Sequence, residues 1–492
     1  MSDLAVKLKS SLTYSFLDKY IGYILRFIST IIVARLLSPE EIGIYSVAFV
    51  LISIGHVLRD FGVAQYLIQQ KELNEQKIRA AFATMFFIAW SLWLILFVCK
   101  SQFAQFYDEP RLNDALTVLT IIFLLAPFGS VRIALLRRDM HFKTLAKINV
   151  FSYTSLFIVT LTLCYMGYSF MSLVWGQLAG VVATILGCIV ACGRRYWYWP
   201  SLSGMKDVFK FGINITSANI AENTAEGAPD LFIGKLLNME SVGIFSRAQG
   251  CVSLFKIFVS ASVWPVILPY FSMKNREDGD ILPDYLKAIE IYTAFAWPFF
   301  ICLMILAEPI VLLLYGSQWI ASIQLVKVLS LAAVFEASFA FRNPLLVAMG
   351  HTGLNLRIQL VISGLKVFAI CVGCFYGLFY AAIGLVVADF ISQVYVYCGL
   401  KKVLPLNLTQ WYQHIRSSIL LSLSLGGMSL IFLWLAKNYH WSDWQTISLS
   451  VLCGLGLWIC HLCILKHPIY THIIAGIMRL KLKGNKLGEG SV

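Results

Sequence analysis

The sequence predicts an all-α membrane protein of about fourteen transmembrane helices, at about 20 residues per span. Two six-helix lobes in the same orientation precede two further C-terminal helices. Three observations predict this. Hydrophobic residues make up 59% of the 492 and charged residues only 13%, with a mean hydropathy of +0.76. A soluble domain carries about 25% charged residues, so the solvent here is lipid. Second, apolar runs of the length that crosses a bilayer as a helix recur throughout the chain. Third, one stretch occurs twice. Residues 34–46 read ARLLSPEEIGIYS and residues 234–246 read GKLLNMESVGIFS, pairing Leu36, Leu37, Glu40, Gly43, Ile44 and Ser46 with residues 200 positions later. At an offset of 210, LLRRDMH (135–141) lines up with LLVAMGH (345–351), and Gly167 with Gly377. A repeat this long is two copies of a domain rather than a solenoid unit, a construction common among transporters.

The spans lie, in order, at 12–35, 42–66, 79–100, 116–136, 146–166 and 169–192, forming a first lobe within 1–200. The second lobe, 201–400, holds those at 209–236, 242–268, 287–314, 323–348, 354–376 and 378–398. The last two, 416–436 and 444–466, have no copy and belong to 401–492 with its basic tail. MSDLAVKLKSS lacks a short apolar core with a cleavage site and reads as a retained cytosolic end. With that end inside, 25 Lys and Arg fall in inside segments, against five outside (Arg35, Lys100, Arg111, Lys235 and Lys437). Basic loops mark the cytosolic face, so both termini are expected to be cytosolic. Six is even, so the two lobes share one orientation and their repeats are parallel. The inside loops 193–208 and 269–286 are the expected linker and the hinge of the second half. RRYWYWP (194–200) suits an interfacial aromatic belt. HPIYTHIIAGIMRLKLKGNK (467–486) reads equally as a surface amphipathic helix or a frayed tail.

Charges inside the spans carry the functional reading. Lys19, Arg26, Arg59, Arg132, Arg247, Lys256, Lys327, Arg342 and Lys366 all fall there. An ionised group costs several kcal/mol in hydrocarbon and turns to a bundle interior or a watery cavity. Lys19 and Lys327 lie near span ends, where they can snorkel. Arg26, Arg59, Arg247 and Lys256 point to a positively charged cavity, each with helix-locking ion pairing as its structural alternative. Span 7 carries the opposite sign. Glu222, Glu226 and Asp230 stand at i, i+4 and i+8 on one face, with Asn219 and Asn223 alongside and a Pro229 expected to kink the helix. Such carboxylates fit proton or ion coupling, or an ion-pair network with Arg26, Arg247 or Lys256. Glu290, Glu336 and Asp389 read first as interhelical glue.

The rest of the inventory narrows the class. A net charge of +13 distributed over loops between apolar spans is not a nucleic-acid surface. Twelve cysteines lie singly in apolar runs; Cys371 with Cys374, and Cys460, His461 and Cys463, sit mid-span and read as small buried hydrophobes. No P-loop or hydrolase signature is present, and the longest outside loop, 101–115, is short for an enzyme that polymerises sugars.

Residues 31–73, IIVARLLSPEEIGIYSVAFVLISIGHVLRDFGVAQYLIQQKEL, resemble the first two helices of Wzx-type polysaccharide flippases, most of all the colanic-acid exporter branch. VRIALLRRDMHFKTLAKINVFS (131–152) is similar to the same group. The resemblance covers roughly residues 10–400. It implies the fold of the multidrug, oligosaccharidyl-lipid and polysaccharide exporter superfamily, with two lobes facing each other in a V. It implies an undecaprenyl-diphosphate-linked oligosaccharide as substrate, moved across the bacterial inner membrane by alternating access. It also implies a cationic cavity lined by spans 1, 2, 7 and 8, which Arg26, Arg59, Arg247 and Lys256 fit as diphosphate ligands. Glu222, Glu226 and Asp230 would couple a proton or sodium gradient, with no cofactor. A polysaccharide polymerase or chain-length regulator would be a further partner. The rival readings are a multidrug or organic-cation antiporter, whose cavity would favour acids and aromatics, and a lipid II flippase, which differs in substrate alone.

Overall fold

The computed structural model describes residues 2–70, 72–193, 198–277 and 280–464. Lys71, the first half of the 194–200 belt and the whole tail from 465 lie outside the described residues, as do the side chains of Glu222 and Asn219. Helix is the only regular structure among the described residues. The chain divides into two compact units, residues 1–246 with Cys374–Leu378, and residues 247–373 with 379–492.

The first unit comprises α1 (Ser2–Leu36), α2 (Pro39–Asp60), α3 (Val63–Gln69), α4 (Glu75–Phe106), α5 (Arg111–Leu125), α6 (Pro127–Arg138), α7 (Phe142–Tyr165), α8 (Met171–Cys192), α9 (Met205–Leu236) and the start of α10 (Met239–Phe255). The second holds the rest of α10 and a π-helical turn at Lys256–Ser260. Then come α11 (Ala261–Arg276), α12 (Leu282–Ile305), α13 (Ala307–Leu314), α14 (Ile320–Ala337), α15 (Arg342–Ala348), α16 (Thr352–Cys374), α17 (Leu378–Leu400), α18 (Leu408–Tyr439) and α19 (Asp443–Ile464). Four apolar stretches that read as single spans are interrupted. Span 2 breaks between α2 and α3, where Phe61 and Gly62 adopt φ 36° and 64°. Span 4 bends by 49° between α5 and α6, where Pro127 lacks an N–H to donate. Spans 9 and 10 break at Leu306 and before Phe341 (φ 64°). Hydropathy registers apolar length and is blind to these backbone turns.

The sequence repeat is a repeat of backbone hydrogen bonding. Ser38 caps α2, its hydroxyl accepting from Glu41 N while the Glu41 carboxylate accepts from Ser38 N at 2.7 Å. Asn238 takes the same place before α10, accepting from Ser241 N at 2.8 Å. At the other offset, His141 N donates to Leu136 O at 2.9 Å and His351 N to Leu346 O at 2.8 Å. The residues before them, Met140 and Gly350, both take positive φ, 56° and 79°.

The two copies of the first motif also touch. A Cβ added at Gly43 would overlap the Met239 carbonyl, and one at Gly243 would overlap the Pro39 carbonyl. The Oγ atoms of Ser46 and Ser246 are 3.2 Å apart. Such a reciprocal crossing is what two-fold relation of the copies requires, since residue i meets j and j meets i. The helices without a copy, α18 and α19, dock on α12. Thr293 and Ser418 share a hydrogen bond of 2.9 Å, His414 Nδ1 lies 2.8 Å from Glu290, and the Trp458 indole donates to Ala294 O.

Candidate functional site

Ten helices are long and apolar enough to cross a membrane among the described residues, or up to 11 if the bent α5–α6 pair is one span. The long helices outside this group are α1, α9 and the α10–α11 run. These carry Arg26, the Glu222–Asp230 stripe, and Arg247 with Lys256. Polarity accounts for α1 and α9, whose long stretches hold too many charged or polar residues, whereas 251–268 holds Lys256 as its one charged residue; Arg59 sits on α2, within one of the ten.

In the first unit, Arg26 is exposed on α1. Two turns earlier on the same helix, Asp18 is buried and accepts from Asn149 Nδ2 of α7 at 2.6 Å. Arg59 is nearly enclosed. Its guanidinium grips its own neighbour Asp60 through Nη2 at 2.6 Å and Nε at 3.0 Å, one residue before the chain leaves the helix. His56, one turn back, lies against Phe123 with ring centroids 5.1 Å apart. Helix α9 runs unbroken through the buried Pro229. Gly227 and Gly234 face Val50 and Val47 of α2. Glu226 is exposed and Asp230 half-buried. Asp230 stands three residues from Gly227 and four from Gly234, on the same side of the helix as the glycine face, while Glu226 lies about 80–100° round from it.

In the second unit, Arg247 is half-buried with its guanidinium carbon 5.8 Å from the ring centroid of the fully buried Trp319. That is cation–π range. Lys256 opens the π-helical turn, a feature frequent at functional positions, and reaches Glu336 of α14 at 3.9 Å. Nine residues separate Arg247 from Lys256, so on a regular helix they point to opposite sides. Each accordingly has its own partners.

Glu336 belongs to a larger set. Its second oxygen is 4.0 Å from Lys366 of α16, and Lys366 pairs with the buried Asp389 of α17 at 2.8 Å. Arg342 donates to Gln359 at 3.3 Å beside them. Sequence reasoning placed Glu336 and Asp389 as isolated glue; with Lys366 and Lys256 they form one chain of charges across four segments. The available signal was opposite charge in neighbouring apolar spans. Asp18 and His56 were missed because single polar residues in an apolar run carry no spacing. Among the described residues, no cluster of His, Cys, Asp and Glu suits a metal ion.

At the end carrying Ser38 and Asn238, ion pairs tie loops together. Arg111 binds both Glu40 and Glu109, and Lys235 meets Asp108 at 3.0 Å. Arg111 hydrogen-bonds the Glu109 carboxylate and holds it below the usual carboxylate range.

Comparison with known proteins places this geometry. The chain is similar to the teichuronic acid biosynthesis protein TuaB of Bacillus subtilis, 24% identical over 83% of this chain and 85% of that one. It is similar to the lipopolysaccharide biosynthesis protein WzxC of Escherichia coli, 20% identical over 74% of each. Among solved structures, the lipid II flippase MurJ in its inward closed conformation superposes with a TM-score of 0.75 at 13% identity, over 94% of this chain and 99% of that one. An inward-facing multidrug transporter of the MATE family gives 0.63 at 13% identity over 78% and 94%. These superpositions establish a shared fold. The model of the family described as polysaccharide biosynthesis protein matches residues 32–324, taking in both stretches that carry the Wzx-type resemblance apart from Ile31, and the chain belongs to that family.

Proposed function

We propose that the protein is a flippase that moves an undecaprenyl-diphosphate-linked oligosaccharide from the cytosolic to the periplasmic leaflet of the bacterial inner membrane by alternating access. Both termini would be cytosolic, and 1–200 and 201–400 would be the two moving halves. The observation that carries this is the set of cations within predicted spans 1, 2 and 8: Arg26 on α1, Arg59 on α2, Arg247 on α10 and Lys256 in the π-helical turn. A diphosphate is the substrate group that rewards such cations, because a guanidinium binds it through paired, charge-assisted hydrogen bonds. Arg26 and Arg59 on the first unit, and Arg247 and Lys256 on the second, would hold it. Glu222, Glu226 and Asp230 would couple a proton or sodium gradient to the movement. The family match and the names of the relatives support a role in polysaccharide export rather than catalysis.

A gene deletion tests the reading. Loss of one surface polysaccharide, with its lipid-linked repeat accumulating in mass spectra, is expected. Wild-type gene should restore export, while Arg26→Ala and Arg247→Ala should not. Full export by both variants would remove the diphosphate assignment. Unchanged polysaccharide with altered drug sensitivity would favour the multidrug antiporter, whose fold the chain shares.

A further inference from the structure

The first unit holds an apolar cavity that none of the proposed transport residues touches. Its volume is about 290 Å³. Phe82, Phe86 and Trp90, spaced i, i+4 and i+8, supply one wall from α4; Val131 and Arg132 of α6 supply another, and Trp199 of the 198–200 segment closes the rim. The exposed Trp90 and Trp199 mark its mouth, while Arg132 is only 5% exposed. The rim belongs to the basic end of the unit. The guanidinium of Arg79 donates to Trp199 O at 3.1 Å, and Lys77, Arg137, Arg138 and Lys206 follow within a turn or two of the lining helices.

An apolar slot with a buried arginine in its wall and the Arg79 guanidinium at its lip matches an amphiphile with an acidic head. At about 30 Å³ for a water-sized group, the cavity takes a segment of roughly ten carbons. That is part of one acyl chain, with the remainder left in the bilayer. Basic pockets between transmembrane helices on the basic side bind anionic headgroups by the same logic. We propose that this cavity binds an acyl chain of an anionic membrane phospholipid, its phosphate drawn to Arg132 and the Arg79 rim. None of the residues assigned to the diphosphate lines this cavity, and the proposal stands whether or not the flippase reading does.

Vesicles containing phosphatidylglycerol or phosphatidylcholine with brominated chains test it, because bromine quenches nearby tryptophan. The chain has 13 tryptophans, so the signal is the difference between wild type and a Trp90→Phe, Trp199→Phe variant. Quenching of that difference should be about fivefold stronger for the phosphatidylglycerol at equal mole fraction, the weight of one cation near a membrane surface. Val131→Phe, which fills the slot, should remove it. Arg132→Gln should remove the lipid preference; Arg79→Gln, at the rim, should weaken it and needs no buried charge to be tolerated. Equal quenching by the two lipids, or quenching that survives Val131→Phe, would overturn the proposal. So would abolition of the phosphatidylglycerol signal by a small mole fraction of unbrominated undecaprenyl phosphate, which would make an isoprenoid the occupant.

Discussion

The helix pairs α7–α8 and α16–α17 are copies of one another with different interiors, hydroxyl-bonded in the first and ion-paired in the second. Their ends match at the 210-residue offset, the His141 turn with the His351 turn and Gly167 with Gly377. In the first, Gly176 meets Thr160 and Gly180 meets Leu156; in the second, Gly373 meets Ala381 and Gly384 meets Ala369. At the level where Lys366 pairs with Asp389, the first pair has Leu156 and Ala179, and Glu336 corresponds to Ala126. The same close packing of small residues, a familiar way to join membrane helices, is thus lined by the hydroxyls of Ser152, Thr160 and Thr184 in one copy and by an ion pair in the other. A helix pair needs the glycines to approach; it does not need the ions. The difference teaches that the charges in α16 and α17 are an addition to a scaffold that is complete without them.

The largest effect should come from breaking the charged pair. Asp389→Ala leaves the Lys366 ammonium with Glu336 at 4.0 Å as its remaining carboxylate, a loss of about 3 kcal/mol, the low end for breaking a buried ion pair, visible as a lowered unfolding temperature of detergent-solubilised protein. The double variant Lys366→Leu, Asp389→Ala copies the first unit, and its stability should return to wild type or above. Export then sharpens the comparison. If the double variant is stable and exports normally, the charges are glue; if it is stable and inactive, they serve transport.

Next is the reciprocal crossing. Gly43→Ala and Gly243→Ala each drive a methyl into a backbone carbonyl that cannot rotate away. Each should cost about 1–3 kcal/mol as overpacking. Gly364→Ala, with nothing near its Cβ position, should cost nothing, and equal losses at Gly43 and Gly364 would refute the crossing as the cause.

The two helix caps differ more gently. Ser38→Ala and Asn238→Ala should each lose about 1 kcal/mol. Glu41→Ala removes the reciprocal half of the first cap, whereas Ser241→Ala, its positional partner, should be silent in the same melts.

The smallest effect is electrostatic and pH-dependent. Arg111 lowers the folded-state pKa of Glu109, so the stabilisation is complete above the unfolded value and is lost as pH falls through the lower folded one. Acidifying from neutral pH past the ordinary carboxylate range should lower the unfolding temperature of wild type more than that of Glu109→Gln. An equal acid sensitivity in the variant would count against this pair.

Much of this was legible in the sequence. Composition and span length determined a helical membrane protein, because hydrocarbon leaves the backbone no other partner than itself. The repeated LL-x-x-E-x-x-G-I motif revealed the duplication; that its Ser38 and Asn238 cap helices and that Gly43 and Gly243 meet the opposite copy's carbonyls was decided by the structure. The isolated cations and the acidic stripe of α9 were likewise visible as charge where lipid forbids it. Tertiary structure alone decided what each charge meets. Arg59 turned to Asp60, Arg247 to Trp319, and Lys256 to a carboxylate 80 positions away in the chain. It also decided that Lys366, Asp389 and Glu336 make one network, and that spans 2, 4, 9 and 10 are broken. Pairing energies depend on distances between helices, and a chain read one residue at a time carries the charges but not those distances.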